Sequence, residues 1–265
     1  MVTGKLFSLT RAHGRFILAT DATPALELIN VTSGYDQSEI LQNISLTVRK
    51  STVLALLGRN GAGKTTCIST IAGMIRPMRG ELRIFGEPVG TLPVEEVIRA
   101  GVAVVPQGRR IFSMLSVKEN LAVVQPALHP HRGRTWSIEQ IVELFPRLGE
   151  RINQRAGTLS GGEQQMLAIA RALMANPRVV LMDEPSEGLS PQMIAEVATI
   201  VARLRDEGLS ILLVEQNSRL ALSVANDAAL LSSGRVAFLG GAAELAENSE
   251  LMEMHLGIRV AVSSR

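Results

Sequence analysis

The sequence predicts an α/β fold built around a mainly parallel β-sheet. Short apolar runs rich in Val, Ile and Leu recur along the chain, and most are separated by segments with helical periodicity. Apolar residues make up 46% of the chain but aromatic residues only 3%, a composition that suits aliphatic strands buried between helices. The runs that we interpret as strands lie at 26–31, 44–48, 53–57, 102–105, 178–182, 210–214 and 228–232.

Two parts of the chain depart from this alternation. The first runs and the segment 81–85 follow one another closely, with no helix expected between them, so we expect a small antiparallel β subdomain there. The stretch 108–158 is interrupted by prolines but has helical periodicity at 116–124 and 137–145. It predicts a helical subdomain inserted into the α/β fold.

The length of 265 residues is compatible with one domain that carries an insertion or with two domains. We predict one α/β domain over 25–258, an N-terminal tail at 1–24 and a C-terminal tail at 259–265. No apolar run approaches the roughly 18 residues of a membrane-spanning helix, and the apolar pieces of the N-terminal tail are too short for a signal peptide. The chain itself is therefore not expected to cross a membrane. A basic contact with a membrane surface is the alternative for the N-terminal tail.

The charges are nearly balanced. With 27 basic and 25 acidic residues the net charge is +2 and there is no polybasic block, so nucleic acid is not indicated as a partner, although a local basic patch is left open. The single cysteine, Cys67, rules out an internal disulfide and is expected to be a small buried residue of a helix.

A glycine-rich segment directly after the run at 53–57 predicts a phosphate-binding loop. It fits the P-loop NTPase pattern G-x-x-x-x-G-K-[ST] in the order strand, loop, helix that this pattern requires. Backbone N–H groups of such a loop converge on phosphate oxygens, Lys64 is expected to reach the β- and γ-phosphates, and the Thr65 hydroxyl is expected to ligate Mg²⁺. A glycine-rich turn that matches by chance is the alternative. The candidate nucleotide-binding residues are Gly58, Arg59, Asn60, Gly61, Ala62, Gly63, Lys64, Thr65 and Thr66.

Two adjacent acidic residues, Asp183 and Glu184, directly follow the apolar run at 178–182. A buried strand that ends in two carboxylates is costly unless a cation or a polarised water lies beside them. We therefore expect Asp183 to support a Mg²⁺ ion and Glu184 to orient the attacking water as a general base. Two acids at a solvent-exposed strand end are the alternative.

The segment Leu159-Ser160-Gly161-Gly162-Glu163-Gln164-Gln165 predicts the start of a helix. Ser160 and Glu163 form a capping box, and the two glycines after the cap expose backbone donors to an anion. This segment is identified as the signature sequence of ABC-type ATPases, and the chain resembles that family from about residue 25 to 258. The resemblance implies that Ser160, Gly161, Gly162 and Gln164 contact ATP held by the phosphate loop of a second subunit, head to tail, so that neither site is complete in one copy.

The same resemblance assigns two further residues. Tyr35 is similar in position to the aromatic residue that the family stacks on adenine. Without this resemblance, a tyrosine at a strand edge is an equally good interpretation. Gln107 is similar to the glutamine that touches Mg²⁺ and relays the nucleotide state to the helical subdomain, although a single Gln is normally a surface residue. The implied cofactors are ATP and Mg²⁺.

The chain departs from the common family pattern at two positions. Gln216 stands where most relatives have a histidine that contacts the γ-phosphate, and Gln cannot carry a positive charge. Ser190 ends the segment 186–190, where many relatives have Asp. Both departures, and the runs 106–112 and 115–121, resemble the ATP-binding subunits of branched-chain amino acid importers, in which a Val-Glu-Gln-Asn segment is common.

This resemblance implies the motor subunit of an importer for branched-chain or other hydrophobic amino acids, on the cytoplasmic face of the inner (plasma) membrane. The implied partners are a second ATPase subunit, identical or different, permease subunits that dock near residues 109–115, and indirectly an external substrate-binding protein. A related urea or amide importer and a nucleotide-gated regulatory module are the alternatives. An ATPase that acts on ribosomes or DNA would need a second cassette or a long coiled-coil insertion, and a GTPase would need an Asn-Lys-x-Asp segment, which is absent.

Overall fold

The computed structural model describes residues 23–36, 38–124 and 135–257. The predicted C-terminal tail, almost all of the N-terminal tail and residues 125–134 of the predicted helical subdomain lie outside these ranges. The strands are β1 (Leu26–Tyr35), β2 (Ser38–Val48), β3 (Val53–Leu57), β4 (Arg79–Ile84), β5 (Glu87–Pro88), β6 (Val102–Val105), β7 (Val179–Asp183), β8 (Ser210–Glu215), β9 (Asp227–Ser232) and β10 (Arg235–Gly241).

The helices alternate with the later strands. They are α1 (Lys64–Ile71), α2 (Val94–Arg99), α3 (Val117–Ala122), α4 (Ile138–Leu144), α5 (Pro146–Glu150), α6 (Gly161–Leu173), α7 (Pro191–Asp206), α8 (Ser218–Val224), α9 (Ala242–Glu247) and α10 (Ser249–Leu256), with a short 3-10 helix at Ala156–Thr158. Within the described ranges, none of them combines the length and the apolar character that crossing a bilayer requires.

The central sheet is mainly parallel, as predicted. Its strand order is β10-β9-β3-β8-β7-β6, and only the β9–β10 pair is antiparallel. The five residues of β3 and of β7 are all buried, because helices or the second sheet cover both faces of these strands. The carboxyl ends of β3, β8, β7 and β6 therefore meet along one edge of the sheet, the edge at which α/β proteins bind ligands.

A second sheet has the order β2-β1-β4-β5 and is antiparallel throughout. It confirms the predicted antiparallel part, but the expected absence of a helix among its strands is wrong. Helix α1 lies between β3 and β4, and β3 belongs to the central sheet, where it pairs with β8 and β9. The error arises because closeness along the chain does not determine strand pairing.

The central sheet separates two apolar cores. Side chains of β3 alternate between them: Val53, Ala55 and Leu57 face the core built from α6, α7 and α8, whereas Leu54 and Leu56 face the core shared with the antiparallel sheet and α1. Helix α6 packs against α3 and α5 as well as against β6. It therefore connects the helical segment between β6 and β7 to the sheet edge that carries the candidate site.

Candidate functional site

The loop between β3 and α1 has the shape that its glycines predict. Gly61 and Gly63 have φ angles of 78° and 107°, in the left-handed region that favours glycine. A Cβ on Gly58 would lie 2.5 Å from the carbonyl oxygen of Leu231, so this position has no space for a side chain. The loop thus keeps its backbone open to an anion at the start of α1.

The side chain of Lys64 folds back onto this loop. Its Nζ donates to the carbonyl oxygens of Gly58 at 3.0 Å and Arg59 at 3.3 Å, and it forms an ion pair with Oε1 of Glu184 at 3.3 Å. Only 5% of Lys64 and 8% of Glu184 is exposed. The predicted phosphate-binding lysine and the predicted general base are therefore in direct contact, although β8 separates their strands in the sheet.

Asp183 lies deeper, at the end of β7. Its Oδ1 is buried and has no hydrogen-bond partner among the described residues, while the Thr65 hydroxyl hydrogen-bonds to its carboxyl group. Burial is the main cause that raises the pKa of Asp183, and the charge of Glu184 adds to the rise, whereas Thr65 and Lys64 act in the opposite direction.

An unpartnered carboxylate oxygen beside a hydroxyl fits a hard cation such as Mg²⁺. Within the described ranges, no group of three or more His, Cys, Asp or Glu residues is placed to hold a metal. A cation at Asp183 would therefore take its remaining ligands from hydroxyl, amide and phosphate oxygens, which is how Mg²⁺ is usually held beside a nucleotide.

Glu184 receives two side-chain amides. Gln216 Nε2 donates to its Oε2 at 2.7 Å, and Gln107 Nε2 approaches the same oxygen at 3.4 Å while donating to Glu187 Oε2 at 2.9 Å. Glu184 has a φ of 49°, a left-handed conformation that is strained for a residue with a side chain. The ends of β6, β7 and β8 thus bring Gln107, Glu184 and Gln216 together.

Glu215 ends β8, is 2% exposed and is not among the residues that the sequence predicts for the site. Its Oε1 accepts from the N–H of Ser186 at 2.9 Å and its Oε2 from the N–H of Asn217 at 3.2 Å. Burial raises the pKa of its carboxyl group, while the hydrogen bonds from Ser186 and Asn217 act against that rise. A charged residue directly after the apolar run 210–214 was the available signal.

The predicted capping box is present at the start of α6. The Ser160 hydroxyl accepts from the N–H of Glu163, and the Glu163 carboxylate accepts from the N–H of Ser160. The Gln164 side chain donates to the carbonyl oxygen of Leu159 at 3.1 Å, within its own turn. Among the described residues, no hydrogen bond or ion pair joins this turn to the phosphate loop.

Three other predicted residues are placed as follows. Thr66 is buried in α1, Asn60 in the phosphate loop is exposed, and Tyr35 at the end of β1 is 53% exposed without a hydrogen bond to that loop. A cleft of about 450 Å³ opens between the loop after β6 and the start of α6. Its lining includes Arg109, Gln164 and Glu184, so the predicted base is accessible from the side of the signature turn.

Comparisons with known proteins identify the family of this chain. Residues 41–187 match the family described as ABC transporter. The high-affinity branched-chain amino acid transport ATP-binding protein BraG of Pseudomonas aeruginosa is 42% identical over 232 residues, covering 88% of this chain and 99% of that protein. The lipopolysaccharide export system ATP-binding protein LptB of Haemophilus influenzae is 33% identical over 232 residues, covering 86% of this chain and 95% of that protein.

A solved structure supports the fold. A nucleotide-free ATP-binding cassette from an ABC transporter has a TM-score of 0.78 to this chain at 24% identity, covering 89% of this chain and 99% of the other. Because the family match spans more than half of the chain and both relatives align along almost their whole length, this chain belongs to the ABC transporter family and is an ATP-binding, ATP-hydrolysing subunit.

Proposed function

We propose that this chain is the motor subunit of an ABC importer and couples ATP hydrolysis to the uptake of branched-chain or other hydrophobic amino acids. The observation that carries the hydrolytic part is the contact of Lys64 with Glu184 at 3.3 Å, beside the phosphate loop. The importer part is supported by similarity to BraG, a branched-chain amino acid transport protein, and by the segment Val214–Asn217.

The phosphate loop binds the triphosphate of ATP, with Tyr35 stacked on the adenine. Lys64 exchanges the carbonyl oxygens of Gly58 and Arg59 for β- and γ-phosphate oxygens. Thr65, Asp183 and Gln107 would hold Mg²⁺, which neutralises phosphate charge when bound. This assignment gives a partner to Oδ1 of Asp183, which has none among the described residues.

Glu184 acts on the attacking water. Its Oε2 is held by Gln216, so its Oε1 becomes free to accept a hydrogen bond from water once Lys64 moves to the phosphates. Gln216 orients this carboxylate as a neutral donor and adds no positive charge to the γ-phosphate. Gln107 connects the same carboxylate to the loop that leads into the helical segment.

A second ATPase subunit, identical or different, completes the site from across a head-to-tail interface. The donors are Ser160, Gly161, Gly162 and Gln164 at the start of α6, which have no bond to the phosphate loop within the described part of this chain. Positioned backbone donors of this kind stabilise charge on a transferring phosphoryl group. Closing and opening of this interface would move permease subunits that dock near residues 109–115 and receive substrate from an external binding protein. The subunit then lies on the cytoplasmic face of the inner membrane.

Two alternatives follow from specific observations. Similarity to LptB, a lipopolysaccharide export protein, favours a transporter that works outward. Gln216 in place of histidine favours either slow turnover or a nucleotide-gated regulatory module. A urea or amide importer is a third cargo class that the same site would serve.

The hydrolytic assignment is tested with Glu184→Gln. The variant should bind ATP, release phosphate about a hundredfold more slowly than the parent, and accumulate as a dimer in Mg·ATP on size-exclusion chromatography. Glu247→Gln, an exposed position on α9, is the matched control. Turnover equal to that of the parent would show that Glu184 is not the base.

An experiment on the transported substrate and the direction of transport requires the permease subunits. The test reconstitutes the chain in proteoliposomes with permease subunits and a binding protein of a branched-chain amino acid importer. Accumulation of labelled leucine that depends on ATP supports the proposal, stimulation of hydrolysis by urea favours the amide alternative, and outward movement of lipid excludes an importer.

A further inference from the structure

A buried carboxylate, that of Glu215, lies beside the candidate catalytic residues at the end of β8. Glu215 is 2% exposed, and no ion pair joins it to a Lys or an Arg among the described residues. A buried charge is costly unless hydrogen bonds compensate for lost water. Here that compensation comes from the backbone N–H groups of Ser186 and Asn217, one on each carboxylate oxygen, together with the Ser186 hydroxyl.

The two N–H groups belong to two different loops. Ser186 lies in the loop that leaves β7, two residues after Glu184, and Asn217 lies in the loop that leaves β8, directly after Gln216. Two further bonds reach Glu184 or leave it: its N–H donates to Val214 O in β8 at 2.9 Å, and Gln216 Nε2 donates to Glu184 Oε2 at 2.7 Å. Glu215 is therefore bound to the backbone on both sides of the Glu184–Gln216 contact.

We propose that Glu215 is a positioning residue that holds the Gln216 amide on the Glu184 carboxylate. The inference rests on the proposed hydrolytic role of Glu184. Glu215 is assigned no contact with the phosphates or the attacking water; it acts by fixing the two loops that carry the reacting carboxylate and its donor.

The requirement is for a carboxylate rather than for any buried polar group. An ionised carboxylate is a pure acceptor with two oxygens, so it satisfies both N–H groups. A glutamine of the same shape would satisfy one N–H and direct its own NH₂ at the other. One loop would lose its anchor, and a displacement of about 1 Å at the reacting groups can lower a rate by about a hundredfold.

The first experiment compares Glu215→Gln with the parent in steady-state Mg·ATP hydrolysis. We expect kcat to fall about ten- to a hundredfold, while affinity for ATP in the presence of EDTA, measured by calorimetry, changes by less than about threefold because the phosphate loop is untouched. Glu215→Asp keeps the charge and both acceptors and should recover part of the lost kcat. Glu247→Gln on α9 again serves as the control. A kcat equal to that of the parent would overturn the inference.

A double-mutant cycle separates positioning from general damage. If Glu215 acts through Gln216, then Glu215→Gln in a Gln216→Ala background should lower kcat by less than about twofold, because the contact that it supports is already gone. Multiplicative losses in the double variant would mean that Glu215 does not act through Gln216.

Hydrogen exchange tests, independently of hydrolysis, whether Glu215 fixes the two loops. In Glu215→Gln, peptides that cover 184–190 and 215–219 should exchange faster than in the parent, whereas peptides of β3 and α7 should not. Unchanged exchange in both loops would overturn the inference even if the variant is slow. A parent protein that hydrolyses no ATP would instead overturn the proposed function. The exchange result would still decide whether Glu215 fixes the two loops.

Discussion

Gln216 donates its side-chain amide to Oε2 of Glu184 at 2.7 Å. The contact keeps one oxygen of the candidate base in place, while its other oxygen pairs with Lys64. Because the Gln216 amide is neutral and does not ionise in the physiological pH range, its hydrogen bond to the carboxylate does not depend on pH there.

Gln216→His should therefore add a pH dependence that the parent lacks. A histidine beside a carboxylate titrates at or above its ordinary pKa of about 6.5, so the profile of kcat against pH should gain a step in this region. The measurement is steady-state hydrolysis by parent and variant across neutral pH. Superimposable profiles would mean that the side chain at position 216 does not contact the reacting groups.

Lys64→Met should destabilise the nucleotide-free protein. The substitution leaves Glu184 buried and without its cation, and we expect a loss of about 1–3 kcal/mol in the free energy of unfolding. Adding Glu184→Gln should recover much of this loss, because the unpaired charge is removed. Urea unfolding of the parent, both single variants and the double variant gives the comparison. A double variant less stable than Lys64→Met would contradict the proposed ion pair.

The fold was predictable where burial makes the sequence pattern strong. Strands β3, β7 and β8 are buried along their whole length, so their apolar runs identify them directly. Strand β10 was not predicted because it lies at a sheet edge and its residues are only half-buried or exposed. The division of the first strands between two sheets also escaped prediction, since β3 pairs with residues more than 150 positions away.

The candidate site shows the same division. The sequence could identify three of its residues because Asp183 ends a buried strand and Glu184 and Lys64 follow one at a fixed distance. The capping box at Ser160 was predictable because it is a local pattern. Glu215 was not, because its partners become visible only when the loops after β7 and β8 are placed side by side. Roles that depend on a second subunit, such as that of the Ser160 turn, stay predictions.

Cys67 should be unreactive in the folded protein. Burial raises the pKa of its thiol to about 12, with a further contribution from the charge of Asp183, so almost no thiolate exists at neutral pH. We expect Ellman's reagent to label the native protein negligibly at about pH 8, and to label one thiol per chain in guanidinium chloride. Cys67→Ser gives the background. Rapid labelling of one thiol in the native state would contradict the burial of this residue.

Glycines of the phosphate loop should differ in their tolerance of alanine. Gly61 has a φ of 78° but open space around a Cβ, so Gly61→Ala should cost about 1 kcal/mol from backbone strain alone. At Gly58 a Cβ would lie 2.5 Å from the carbonyl oxygen of Leu231, and because that neighbour is backbone, Gly58→Ala should cost about 2–3 kcal/mol. Urea unfolding without nucleotide measures both losses.

A third variant separates backbone strain from nucleotide binding. Gly257 ends α10 with a φ of 71° and, like Gly61, has no atom near a Cβ, so Gly257→Ala should cost about as much stability as Gly61→Ala. Its affinity for ATP, measured by calorimetry, should equal that of the parent, because α10 lies outside the site. Gly58→Ala should weaken ATP binding the most, since the loop backbone itself must move. Equal ATP affinities for all three variants would mean that this loop does not hold the phosphates.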